Sequence, residues 1–120
     1  MSTPRKILLA AFYVTGAGKR PVRDWLMELS PEDRKTIGED IATLEFCWPV
    51  GKPKCSPMTG IKGLYEIRSN ISSRRIARVF FVLIGSQMVL LHGFVKKTQK
   101  TPDKELKLAV ARMKEVQRHG

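Results

Sequence analysis

A chain of 120 residues, 42% hydrophobic and 28% charged, is one globular domain with no room for a second. No apolar stretch is long enough to span a bilayer, and two lone cysteines, Cys47 and Cys55, exclude a disulfide framework and a cysteine-based zinc site. The formal net charge of +11 is lopsided: residues 1–60 hold nine Lys/Arg against seven Asp/Glu, and residues 61–120 hold thirteen against four.

That basic half points to a polyanionic partner: nucleic acid first, then an acidic protein, then a membrane surface. The alternative is a solvated basic face. The N-terminus, MSTPRKILLAAFYV, has a basic start and a short apolar run, but no small-residue cleavage motif follows. Tyr13 and Val14 favour a strand, so Ile7–Val14 reads as a buried strand ended by the turn residues Thr15-Gly16-Ala17-Gly18. Cysteine usage and the absence of a leader place the chain in the cytoplasm.

Pro21 opens a short helix in which Val22, Trp25, Leu26 and Leu29 form one apolar stripe, with Trp25 in the core. Ser30 caps a second helix that has Pro31 at its first position and Glu32 and Asp33 in its first turn. It runs to about Phe46 with Ile37, Ile41 and Leu44 inward, and the two helices form a hairpin able to lie on a sheet. Trp48–Lys62, broken by Pro49, Gly51, Pro53, Pro57 and Gly60, reads as a loop carrying Lys52, Lys54 and Lys62. Those lysines either guide a phosphate backbone or are simply solvated.

The stretch from Gly63 to Pro102 reads as three strands, Leu64–Arg68, Ile76–Ile84 and Gln87–Val95. Gly85-Ser86 fits a two-residue hairpin turn between the last two. Counting back from it pairs Phe81 with Leu90, Val79 with His92 and Arg78 with Gly93. Alternation then puts Gly93, Val95 and Lys97 on the face of Arg78, and His92 on the other. Arg78 would look across at a residue without a side chain, with room to reach a ligand. Thr101-Pro102-Asp103 starts a last helix to about Gln117, with Leu106, Ala109, Val110, Met113 and Val116 inward. Lys104, Lys107, Arg112, Lys114 and Arg118 lie on its outer face. The order β–α–α–β–β–β–α describes an α+β domain with a mainly antiparallel sheet.

No phosphate-gripping glycine loop, dinucleotide fingerprint or metal-ligand constellation is present, and no cofactor is implied. Of the two histidines, His119 is next to last, and His92 reads as a packed strand histidine. RNA cleavage without a metal needs cations around the scissile phosphate and a group that takes the 2′-hydroxyl proton. Arg68, Arg78, Lys96 and Lys97 converge at the ends of neighbouring strands and could supply the cations. Crowded cations lower one another's proton affinity, so a lysine among them could be the base.

The segments LYEIRSN, RIARVFFV and MVLLHGFVKKTQKTP resemble the toxins of the RelE/HigB superfamily, in particular its phage-derived HigB-like branch. The resemblance covers most of the chain, and HGFVKKTQKTP is its most specific part. It implies the RelE-like microbial-RNase fold, a sheet flanked by helices. It also implies metal-independent, ribosome-dependent cleavage of messenger RNA and neutralisation by a helix-turn-helix antitoxin of the HigA-like kind. Arg68, Arg78 and Lys97 match family cations, and Lys96 follows by adjacency. Lys52, Lys54, Lys62, Arg74, Arg75 and Lys100 are the accompanying candidates for RNA contact. The sequence departs from RelE at Glu66, where RelE has a lysine, and lacks a counterpart of its C-terminal tyrosine. Two other readings stay open: a non-catalytic nucleic-acid-binding or regulatory protein on the same fold, and an inhibitor of another target by binding alone.

Overall fold

A computed structural model describes residues 4–96 and 101–119. Its elements are β1 (Leu9–Phe12), α1 (Pro21–Glu28), α2 (Pro31–Cys47), β2 (Cys55–Pro57), β3 (Leu64–Asn70), β4 (Ile76–Ile84), β5 (Gln87–Lys96) and α3 (Asp103–His119). A single 3₁₀ turn, Ser72–Arg74, joins β3 to β4. The five strands lie in the order β1-β5-β4-β3-β2. Only β1 runs parallel to its neighbour, and the other pairs are antiparallel. This is the α+β architecture with a mainly antiparallel sheet that the sequence predicts, with one strand more.

The added strand is β2, inside the proline-rich stretch read as loop. Its three residues show no period of their own, and pairing of Cys55 with Ile67 holds them on the sheet. β1 also differs, being four residues long and an edge strand rather than a buried one. Ile7 and Leu9 remain more than half exposed. The outward N–H of Ala10 donates to a Glu45 carboxylate oxygen at 2.9 Å, and the Ile7 and Leu8 amides donate to the Glu45 carbonyl. The end of α2 thus occupies donors that an exposed edge would offer to another chain.

Each sheet face has its own core. On one, Val22, Leu26, Ile37, Ile41 and Leu44 of α1 and α2 pack against Ile67, Val79, Phe81, Met88 and Leu90. On the other, Ala109 and Met113 of α3 pack against Leu64, Phe80, Val82, Leu91 and Phe94. Ser30 caps α2 as its sequence predicts, its hydroxyl accepting from the Asp33 amide. Asp33 is buried and reaches across to the β3–β4 turn. It accepts from the Ser72 amide at 2.9 Å and from the Ser72 hydroxyl at 3.0 Å, and pairs with Arg75 at 2.8 Å. The Ser72 amide bond, more than any other contact, holds this carboxyl below its ordinary range.

The hairpin register carries the main correction. Ile84 pairs with Gln87 and Phe81 with Leu90 as counted, but Phe80 pairs with His92, leaving Leu91 without an opposite residue. This bulge moves the strand by one residue. Arg78 therefore faces Phe94, not Gly93, and Val79 faces Gly93. Gly93 leaves room for Trp25, since a Cβ there would collide with the indole ring. The bulge is tied from α3: Arg112 donates to the Leu91 carbonyl at 2.8 Å and lies over the Tyr13 ring. Arg112 is thus turned to the sheet, where the sequence had placed it outward.

Two outcomes test this packing. Gly93→Ala overpacks Trp25 and should lower stability by about 1–3 kcal/mol in a denaturant titration. Asp33→Asn removes a carboxylate whose folded proton affinity is lowered. The stability it contributes is present above the unfolded value and is lost as pH falls through the folded one. The variant should melt lower than wild type at neutral pH, and the two curves should converge well below about pH 4.

Candidate nucleic-acid site

Strand alternation assembles the site. Glu66 and Arg68 share a face of β3 with Leu64, and Arg78 shares that face of β4 with Phe80 and Val82. Beyond the bulge, Phe94 and Lys96 of β5 join them. Arg68 stands directly opposite Arg78, and Lys96, paired with Ile76, lies diagonally from Arg78. Like charges directly opposite one another weaken a sheet, so this pairing is a cost that packing does not explain. Glu66 is the carboxylate set among these three cations. Its side chain is 4% exposed and pairs with Arg78 Nη1, whose side chain is 16% exposed.

Three buried polar atoms here, Glu66 Oε2, Arg68 Nε and Arg78 Nε, have no partner among the described residues. Lys96 is half-buried, and desolvation lowers its proton affinity first; Arg78 and Arg68 lower it further, while Glu66 opposes them. Two arginines and a lysine of reduced basicity have the charge to bind a phosphodiester and an amine beside it that can accept a proton.

The bulge also brings His92 to this face, correcting its expected place on the other. Its Nε2 contacts the Glu105 carboxylate of α3, and its ring stacks on Phe94 at 5.9 Å. Lys97 and Lys100 lie outside the described residues. Lys54 pairs with Asp40 of α2 while its carbonyl accepts the Arg68 amide at 2.7 Å. With Pro53, Arg68 and Asn70 it lines a depression of about 290 Å³ beside the cluster. Arg75 is engaged by Asp33, away from the cluster, and Arg74 is exposed at a positive φ of 58° in the β3–β4 turn. Lys52 and Lys62 are exposed on the loops flanking β2.

Glu66, a departure from the RelE pattern in the sequence, pairs with Arg78, which is the structural alternative to a catalytic part for that arginine. The signal for its place was its spacing of two from Arg68 on one strand. Among the described residues, no helix is long and apolar enough to cross a membrane. Because Arg78 depresses Lys96, Arg78→Ala should raise the Lys96 titration midpoint part of the way back to that of an exposed lysine. Carbon NMR of the lysine ε-methylenes reads this directly. An unmoved midpoint means the two side chains are not coupled.

No curated protein matches the chain. A protein-family profile, that of the phage-derived Gp49-like proteins, matches residues 24–114, from α1 through most of α3. Since that span includes every strand of the cation cluster and most of the chain, this protein belongs to the phage-derived Gp49-like family, a family of RelE/toxin-like proteins.

Proposed function

We propose that this protein is the toxin of a type II toxin–antitoxin pair, a metal-independent, ribosome-dependent messenger RNA endonuclease of the HigB-like branch. The observation that carries the reading is Arg68 facing Arg78 across β3 and β4, with Lys96 beside them and Glu66 as the carboxylate among the three. In this reading the arginines grip the scissile phosphate, and the 2′-oxygen attacks phosphorus as its proton passes to Lys96 in the unprotonated form that burial and the two arginines favour. The bond from phosphorus to the 5′-oxygen of the next nucleotide then breaks, leaving a 2′,3′-cyclic phosphate, and the departing oxygen takes a proton from water. Charge on phosphorus grows along this path, so the guanidinium groups act more on the transition state than on the bound diester. The partner is an acidic segment of a helix-turn-helix antitoxin, drawn by the basic half of the chain.

The Glu66–Arg78 pair favours a second reading, a non-catalytic nucleic-acid-binding protein whose Arg78 is structural. Arg78→Lys separates the two because it keeps a charge for Glu66 but loses the planar fork. The endonuclease reading expects a folded variant whose cleavage of ribosome-bound messenger falls about a hundredfold or more. A folded Arg78→Lys that cleaves at the wild-type rate sinks the catalytic assignment. With three phosphate contacts, the logarithm of RNA affinity should fall against the logarithm of salt with a slope of about −2. A flat dependence places the contact elsewhere. Co-expression with the antitoxin encoded beside it should give one complex that survives gel filtration at micromolar concentration; separate elution refutes the pairing.

A further inference from the structure

We propose that Glu66 is a positioning residue of the cleavage site, holding the Arg78 guanidinium in the orientation that meets the phosphate. The inference rests on the endonuclease reading and adds a role for a carboxylate that the reading leaves idle. Glu66 is buried, shares a strand face with Arg68, and binds Arg78 through a single terminal nitrogen, Nη1. A guanidinium has five N–H donors, so that one contact anchors a terminal nitrogen and limits where the group can swing, while donors on its exposed side remain for an incoming anion.

Without the carboxylate, Arg68 and Arg78 face each other with Lys96 at their side, and the attraction that offsets their repulsion is lost. Arg78 would swing away from Arg68, and the two forks would no longer converge on one phosphate. The carboxylate cannot serve as a surface anchor, because its second oxygen is enclosed as well. Its role is to orient. Holding and binding separate here: removing a negative charge from a basic site does not weaken attraction for RNA, whereas a misplaced donor slows the reaction.

Glu66→Gln tests this, since it keeps the shape and removes the charge. The expected result is a folded variant whose KM for RNA is unchanged or lower and whose kcat falls roughly a hundredfold. Glu66→Asp, which keeps the charge with a shorter reach, should recover part of kcat. The pH profile should move too. The charged groups facing Lys96 are Arg68 and Glu66 from β3 and Arg78 from β4, with His92 of its own strand engaged by Glu105. Loss of Glu66 removes the influence that sustains the Lys96 proton, so the rising acidic limb of kcat should shift to lower pH. In the RNA-free protein, the Arg78 Nη resonances should be resolved and slowly exchanging in wild type and averaged in Glu66→Gln.

Wild-type kcat and an unmoved acidic limb in Glu66→Gln, with only a lowered Tm, overturn the inference and leave Glu66 a structural partner. A raised kcat overturns it also, making the pair an inhibitory contact. Averaged Arg78 resonances in an active wild type overturn the inference alone. A wild type that cleaves no RNA on the ribosome or off it overturns the endonuclease reading and this inference together.

Discussion

Between Phe80 and Phe81 the β4–β5 ladder slips by one residue, and the composition of both sheet faces depends on that slip. With Leu91 set outside the pairing, Leu91 and His92 both serve the α3 face, and the residues after them exchange sides relative to a regular hairpin. Gly93 then falls on the α1–α2 side, where Trp25 fills the space above it. Phe94 and Lys96 fall on the α3 side with Arg78. Arg112 satisfies the Leu91 carbonyl that the slip displaces, so the helix covering this face also fixes its register. A ladder without the bulge would dismantle the Trp25 contact and the cation cluster together.

Two interests meet on the α3 face. Toward β1 it is a closed apolar core, with Phe80, Val82 and Leu91 under Ala109 and Met113. Toward the β3–β4 turn it becomes ionic, with Arg68, Arg78, Lys96 and Glu66 in succession. The His92–Glu105 contact and the stacked Phe94 mark the boundary. Burying one carboxylate with one of two opposed arginines is a weak way to gain stability, since desolvation offsets much of the attraction. Under the endonuclease reading proposed above, the scissile phosphate is the anion that completes the charge balance of this cluster.

The opposite face shows how polar burial looks when it is structural. Asp33 has partners for both oxygens in the Ser72–Arg75 turn, and its proton affinity is lowered above all by the Ser72 amide bond. Cys55, buried in the same core, has its thiol pushed up to about 11 by desolvation and the neighbouring Glu66. It stays a protonated packing group. Arg68 Nε and Arg78 Nε, by contrast, have no partner among the described residues, and neither has Ser69 Oγ on the α1–α2 side of β3.

Periodicity and cap chemistry by themselves determined the three helices, the three long strands and the mainly antiparallel sheet, because each depends on neighbours within a few residues. Ser30 before Pro31 set the start of α2, and the Val22–Leu26 stripe set its inward partner helix. Charge distribution likewise marked the strands that carry the cations. Tertiary structure alone decided three matters. β2 exists only as a partner of β3, for its sequence has no strand period. The position of Gly93 and His92 turned on a bulge stabilised by Arg112 from a helix that comes later in the chain, which no count from the hairpin turn could include. The placing of Arg78 opposite Arg68, with Glu66 between charge and core, followed because register is a long-range property: one displaced residue exchanges the faces, and only packing on both sides of the sheet chooses which.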